Sequence, residues 1–433
     1  MRWSVVFVFA SAVFAQPSVN PRPFRIDELR TPAGFEVSIY ARVPGGPRLM
    51  AFGPDGVLYV AARDAGAVYG VSAQDQVVRV LSGLRGPHSL VFQDNTLYVA
   101  ADDGIYRVDS MSAVKIADLP VGGQHNSRTI GIGSDGKLYA TAGSTCNFCL
   151  ESDPRRAATM RFNLDGSGQE IFSRGQRNSV GIAWHPLTGD LWATDNGGDG
   201  LGDDIPPDEI NILQPGGDYG WPDCYGDWQP LNWGSEARME RCSNTMAPEF
   251  KLQAHSAPLG ISFYTGRQFP ASYVNDAFVA FHGSWNRFEP TGYKVVRIHA
   301  ASGHATGIED FLWGFLDRKG RTTSGRPVDP VPGPDGALYV SDDDTGNIYR
   351  VSYSGPRINP AGIVRRESGV YELYGERLVN DPARLSVMAN AQAVTVLFAG
   401  ANQVNFQIPD GVTAPFTVVV QNEKASDSAL VSE

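Results

Sequence analysis

A hairpin-bearing motif returns six times along this chain, and a fixed repeat of that kind restricts the possible folds more than any other feature. Gly53-Pro54-Asp55-Gly56-Val57-Leu58-Tyr59-Val60 recurs as Gly133-Ser134-Asp135-Gly136-Lys137-Leu138-Tyr139-Ala140 and as Gly333-Pro334-Asp335-Gly336-Ala337-Leu338-Tyr339-Val340. Weaker copies occupy residues 94–99, 188–193 and 275–280. Each copy puts an apolar strand before the turn, as at residues 49–52, 89–92 and 180–184. The Asp-Gly or Asn position then favours a two-residue hairpin with positive φ. A second strand, a loop and a third strand follow, and most copies add a more polar fourth, as at 77–81. Four antiparallel strands repeated six times predict an all-β, six-bladed β-propeller rather than a β-sandwich. The last copy stops at its third strand, near Tyr353-Ser354-Gly355, while a lone strand at 35–43 precedes the first copy. Pairing the two closes the ring and removes an exposed edge. Beyond Gly355 the repeat ends. Strand-like runs at 393–398 and 416–421 leave two readings of residues 356–433, a small β-rich appendage or a tail.

Forty-eight glycines spread along 433 residues agree with many tight turns, and 42% hydrophobic against 19% charged residues gives a packed core. The net charge of −11 argues against nucleic acid, which is bound by neutralising phosphates with Lys and Arg. Residues 1–15 read as a signal peptide: Arg2, an apolar run over 5–14, and Val13-Phe14-Ala15 before Gln16. The run is too short to span a bilayer, so a secreted or periplasmic protein that does not span the membrane is expected. In such a compartment Cys146 with Cys149, and Cys224 with Cys242, are expected to form two structural disulfides. No suitably spaced histidines accompany either pair to make a zinc site.

In a propeller the loops before the innermost strands open on one face. Those positions hold Arg48, His88, His125-Asn126, Arg177-Asn178, His255-Ser256 and Arg326. A cationic, histidine-bearing funnel in an acidic protein suggests an anionic small ligand. On the same face the loop Asp195-Asn196-Gly197-Gly198-Asp199-Gly200-Leu201-Gly202-Asp203-Asp204 suits calcium by composition, although it lacks the spacing of an EF-hand. His282-Gly283-Ser284-Trp285-Asn286-Arg287, with Lys294 in the next strand, is the corresponding loop of the fifth copy. Neither a Rossmann glycine fingerprint nor a serine nucleophile elbow is present.

Several stretches together resemble the soluble quinoprotein glucose and sorbosone dehydrogenase family, also seen in the propeller of fungal pyranose dehydrogenases. They are Gln124-His125-Asn126-Ser127-Arg128, Gly175-Gln176-Arg177-Asn178, Asp208-Glu209-Ile210-Asn211, Gly216-Gly217-Asp218-Tyr219-Gly220-Trp221-Pro222, His282-Gly283-Ser284-Trp285 with Lys294, and Gly325-Arg326-Pro327. The similarity covers about residues 31–355. It implies an oxidoreductase using pyrroloquinoline quinone (PQQ) and calcium, with a sugar or sugar aldehyde as substrate and an external quinone or redox protein as electron acceptor. Carried over by position, His125 is the general base that takes the substrate hydroxyl proton as hydride leaves. Arg177 stabilises the developing negative charge. Asn178, Asn196, Lys294 and Arg326 hold the quinone, and Gly197 and Gly198 give carbonyls to calcium. One departure stands out: where glucose-oxidising members support the base with a carboxylate, this chain has Gly143-Ser144-Thr145-Cys146-Asn147 and no acidic residue before Glu151. Two other functions suit the same scaffold, a calcium-dependent lactonase-type hydrolase and a non-catalytic propeller binding carbohydrate or protein.

Overall fold

The repeated turn explains itself in hydrogen bonds. Oδ1 of Asp55, Asp135 and Asp335 accepts the backbone N–H two residues on, at 3.1 Å each time. Oδ2 of the same carboxylates accepts the hydroxyl of Tyr59, Tyr139 and Tyr339, at 3.0, 3.0 and 3.2 Å. One side chain therefore satisfies a turn and pins the strand that leaves it. Leu58, Leu138 and Leu338, between the two contacts, point into the core and are fully buried. The turn is not the two-residue hairpin that Asp-Gly suggests. Gly53 N bonds Val57 O and Gly56 N bonds Gly53 O, at 2.8 and 3.0 Å, which makes a three-residue loop with only its glycine left-handed (φ +76° at Gly56). The copy with serine in place of proline makes the same loop, Gly133 N bonding Lys137 O and Gly136 N bonding Gly133 O at 3.0 and 2.9 Å, so the feature shared by all three is the aspartate that accepts the N–H two residues on.

The computed structural model describes residues 18–72, 76–110, 112–231, 240–319, 321–366 and 369–432. The expected signal peptide, residues 1–15, lies outside the described residues. Six four-stranded antiparallel sheets follow one another as blades. Their inner strands are Pro47–Phe52, Ser89–Gln93, Ile130–Ile132, Ile182–Trp184, Pro258–Phe263 and Pro327–Pro332, each touching the next and the last touching the first. Phe35–Arg42 is the outer strand of the sixth blade, running antiparallel to Asn347–Tyr353 from Phe35 opposite Tyr353 to Arg42 opposite Asn347. The N-terminal strand thus closes the ring, as expected.

Hydroxyl groups on the blades tie neighbours together. Ser89 Oγ donates to Arg128 O, Thr194 Oγ1 to Leu259 O and Ser341 Oγ to Arg48 O, at 3.0, 2.8 and 2.7 Å. Leu49, Leu259 and Val328 from three inner strands, with Val180 just before a fourth, form an apolar plug. One side of the plug is left as a polar cup.

After Tyr353 the chain builds two further four-stranded sheets. One orders Arg357–Arg365, Val370–Glu376, Gln403–Gln407 and Thr395–Gly400; the other orders Gln392–Ala393, Ser386–Ala389, Phe416–Gln421 and Ser426–Val431. They enclose a separate core that includes Tyr371, Leu373, Phe406, Phe416 and Val418. The segment is therefore a β-sandwich appendage and not a tail. It docks on the propeller through Ala425, which joins the cluster of Phe35 and Tyr353, and through Arg377, whose Nε donates to Gly355 O at 3.0 Å. Among the described residues no helix is long and apolar enough to cross a membrane.

Candidate active site

The loops on this face are held by carboxylates that end a second strand or begin a third. Asp195 accepts the backbone N–H of Arg177 and Asn178 at 2.9 and 2.6 Å. Asp342 accepts that of Arg326 at 3.0 Å. Asp208 accepts from Gly197 N and Ala257 N, at 2.8 and 2.9 Å. Burial, and then the neighbouring Glu209, push the Asp195 pKa up to about 8. These carboxylates fix the backbone from which the functional side chains project.

A cavity of about 220 Å³ opens above the plug, lined by Arg48, His125, Arg177, Asn178, His255 and Arg326 together with residues of the 195–204 and 282–287 loops. Five of the six loop positions singled out in the sequence therefore meet in one cup. His88 does not join them. It is fully buried behind Arg48, whose Nε and Nη2 lie 3.3 and 3.1 Å from its Nε2. Burial and the Arg48 charge hold its pKa well below 6.5, so His88 serves as a neutral acceptor that orients an arginine. Asn126 turns its amide onto Gly123 O at 3.1 Å.

His125 has a defined tautomer. Its Nδ1 lies 2.8 Å from Ser144 Oγ and 3.2 Å from Ser144 O. The Ser144 hydroxyl donates its own proton to Cys146 O at 2.7 Å, and a carbonyl oxygen only accepts. The hydrogen is therefore on Nδ1, and Nε2 keeps a free lone pair. Burial, followed by the charge of Arg177, lowers the His125 pKa to about 3, so the ring is neutral throughout the physiological range. Ser144 is thus the residue that meets His125 Nδ1. Glu151 makes no bond to His125; it caps Thr145 instead, accepting from its N and Oγ1.

Arg177, on the other side of the cup, is almost completely buried and is ion-paired with Asp199 at 2.8 Å. Asn178 Oδ1 is buried and has no partner. A Cβ on Gly143 would come within 2.6 Å of both that oxygen and His125 Cβ, so glycine is required there. Asn196 spends its amide on Pro258 O at 2.7 Å. Arg326 donates to the carbonyls of His282 and Gly283, both at 3.2 Å, and has no carboxylate partner among the described residues. Arg48 pairs with Asp343, which also accepts from His282 Nε2 at 2.8 Å. Burial works against the Asp343 charge, yet His282 and Arg48 hold its pKa below the usual carboxylate range. Asp343 was missed in the sequence; its only trace there is the Asp342-Asp343-Asp344 run after the sixth blade's second strand.

Lys294 does not reach the cup. It begins the third strand of blade five, Lys294–His299, and its ammonium pairs with Asp310 on the fourth. The third strand lies two strands out from the inner one, and Lys294 is not among the residues lining the cavity.

The 195–204 loop also uses its carboxylates differently from the calcium reading. Asp199 takes Arg177 and Asn286 Nδ2, while Asp203 accepts from Phe288 N at 2.9 Å. The acidic side chains latch this loop to blade five. Gly197 and Gly198 lie where only backbone fits: a Cβ would sit 2.7 Å from Pro207 O and 2.1 Å from the Phe148 ring, respectively. Among the described residues the one group of side chains with metal-ligand spacing is Cys146, Cys149 and Glu151, and its cysteines are disulfide-bonded. Both expected disulfides, Cys146–Cys149 and Cys224–Cys242, are formed.

This donor set fits a flat polyacid. Arg48, Arg177 and Arg326 converge on one cavity of ligand-accepting size, and the orphaned Asn178 oxygen offers an acceptor to a ligand N–H or O–H. A hard cation beside it would find backbone carbonyls at the glycines and the oxygens of the polyacid itself.

Residues 29–354 match a family model described as TrAA12-like. An uncharacterized protein of Borreliella burgdorferi is 33% identical over 81% of this chain and 96% of its own length. The aldose sugar dehydrogenase YliI of Escherichia coli is 30% identical over 43% of this chain and 45% of its own. A pyrroloquinoline quinone-dependent pyranose dehydrogenase of Coprinopsis cinerea is 32% identical over 33% of this chain and 23% of its own. Among solved structures, an AA12 family enzyme of Trichoderma reesei superposes with a TM-score of 0.67 at 22% identity, over 75% of this chain and 98% of that one. The PQQ domain of the Coprinopsis enzyme gives 0.63 at 22% identity, over 77% and 98%.

Proposed function

The chain belongs to the TrAA12-like family, and on that premise we propose that it is an exported oxidoreductase that oxidises a sugar or sugar aldehyde with pyrroloquinoline quinone and calcium. Residues 31–355 carry the reaction on this reading, and residues 356–433 form an accessory module. Electrons pass to an external quinone or small redox protein. Two disulfides suit an oxidising compartment.

The observation that carries the reading is a single cavity holding a histidine with a bare Nε2 beside three arginines. Bound quinone, polarised by calcium, would supply a two-electron acceptor for hydride from the substrate carbon. The protein's part is proton handling and charge. His125 Nε2 removes the substrate hydroxyl proton, while Nδ1–H stays on Ser144 and keeps the ring from turning. Arg177 places positive charge where negative charge develops, and it is already desolvated and oriented, so little reorganisation is needed. Arg48, Arg326 and Asn178 hold the carboxylates and polar edge of the cofactor. Gly197 and Gly198 admit the cation to their carbonyls because no side chain stands in the way.

The test is reconstitution. The chain from Gln16 onward is prepared as apoprotein, given calcium and pyrroloquinoline quinone together, and assayed for dye reduction with a panel of aldoses and sugar aldehydes. Activity should need both additions and fall at least a hundredfold in His125→Ala and Arg177→Ala, on the scale of a lost general base. A calcium-dependent rise in melting temperature without quinone binding would sink the dehydrogenase reading and leave a calcium-dependent hydrolase or a binding propeller.

A further inference from the structure

The Cys146–Cys149 disulfide closes a very short loop, and the two residues inside it touch the site on both flanks. Asn147 reaches Arg177 twice. Its Oδ1 accepts from Arg177 Nη2 at 2.9 Å and its main-chain oxygen from Arg177 Nε at 3.3 Å. The same side chain grips the glycine-rich loop opposite: Oδ1 also accepts from Asp199 N, and Nδ2 donates to Asp199 O, both at 2.8 Å. Trp221 Nε1 donates to Asn147 O at 3.0 Å and anchors the loop from blade four. The tip of the Phe148 ring lies against Gly198. On the N-terminal side Cys146 O takes the Ser144 proton that sets the His125 tautomer.

The donor count on Arg177 makes the point sharper. A guanidinium has five N–H groups. Nε and one Nη2 hydrogen go to Asn147, the other Nη2 hydrogen to Asp199 Oδ2, and one Nη1 hydrogen to Asn196 O at 3.2 Å. One N–H, on Nη1, is left for the cavity.

We propose that Asn147 is a positioning residue that fixes the plane of Arg177 so that its one uncommitted N–H faces the reacting group, and that the Cys146–Cys149 disulfide is the clasp holding Asn147 in place. The inference rests on the dehydrogenase reading above, because it assigns Arg177 a charge-stabilising task. The disulfide is thereby part of the site and not a staple for the fold. A loop this short removes little chain entropy on closure, whereas its two central residues touch Arg177 and the cation-side glycines.

The experiment is a double-mutant cycle on the reconstituted enzyme, comparing Asn147→Ala, the Cys146→Ser/Cys149→Ser pair, and all three together. Wild type is assayed first; if it reduces no dye with any sugar, the dehydrogenase reading fails and the cycle is not reached. With an active wild type, Asn147→Ala should lower kcat about tenfold or more, as expected for one hydrogen bond to a charged group, while the sugar KM changes less than about threefold. Asn147→Asp, which keeps the Oδ1 acceptor, should recover part of the loss. The cysteine pair should lower kcat in the same way, and the triple variant should lose no more than the worse of the two, the mark of residues acting as one unit. Crystal structures of the apoproteins supply a readout independent of turnover: the Arg177 guanidinium should be rotated or smeared in both variants. Losses that multiply in the triple variant, a kcat within twofold of wild type, or an unmoved Arg177 would each overturn the proposal.

Discussion

Replacing Ser144 by aspartate would put a carboxylate where a hydroxyl oxygen now lies 2.8 Å from His125 Nδ1. In the native protein His125 is held at a pKa of about 3, first by burial, then by Arg177, with smaller contributions from Arg128 and Arg156. An opposite charge within hydrogen-bonding reach raises a histidine pKa by about 1–3 units, equivalent to about 1.4–4 kcal/mol in favour of the imidazolium. His125 in Ser144→Asp should therefore titrate between about 4 and 6. The sign follows from which form is stable. A folded pKa below the unfolded value of about 6.5 means that the neutral ring contributes stability fully above that pH. The contribution is lost as pH falls toward the folded pKa. The variant narrows that window from the acid side. The assay is a pH titration of the His125 Cε1–H resonance in the apoprotein, paired with the acid limb of kcat/KM after reconstitution, which should move upward by the same interval. Ser144→Ala is the control: it removes the Oγ acceptor but leaves Ser144 O at 3.2 Å, so the His125 pKa should barely move. A native His125 that titrates near 6.5 would refute burial beside Arg177 as the control on its charge, and a Ser144→Asp variant whose histidine stays put would refute the placement of the Ser144 side chain against Nδ1.

Arg326→Ala removes a guanidinium that has no carboxylate partner among the described residues; the apoprotein should lose about 10- to 100-fold in quinone affinity, measured by fluorescence quenching, and an unchanged Kd would contradict its role. Lys294→Ala should leave that Kd within about twofold, because the ammonium is committed to Asp310 in a partly exposed pair worth no more than about 1 kcal/mol. Loss of binding there would show that Lys294 swings into the cup. Converting Cys224 and Cys242 to serine opens a link across 18 residues and should cost about 3 kcal/mol by the loop-entropy relation. Denaturant unfolding measures that loss, and no change in midpoint would mean that the loop is already fixed by packing.

The repeat was legible because its logic is local. An aspartate that satisfies a turn two residues away and a tyrosine four residues away leaves the same signature wherever it is used, so six blades and the closing strand could be counted from the chain. The Asp-Gly pair alone does not distinguish a two-residue turn from the three-residue loop found here, with or without proline before it. The strands after Gly355 carry no repeat and reveal themselves only through the core they share.

The sequence by itself determined the blade architecture, the two cysteine pairs and the set of loops that open on one face, since each depends on contacts between residues close along the chain or on periodicity. Which polar groups in those loops face a ligand, and which spend themselves on one another, was decided by the tertiary structure alone. Arg48 meets an aspartate 295 residues away, His88 is buried beneath it, and Lys294 sits on an outer strand. Ser144 Oγ lies against His125 Nδ1, and Asn147 takes two of the five N–H groups of Arg177. Hydrogen bonds are satisfied by whichever partner arrives within about 3 Å, and in a closed ring that partner comes from another blade.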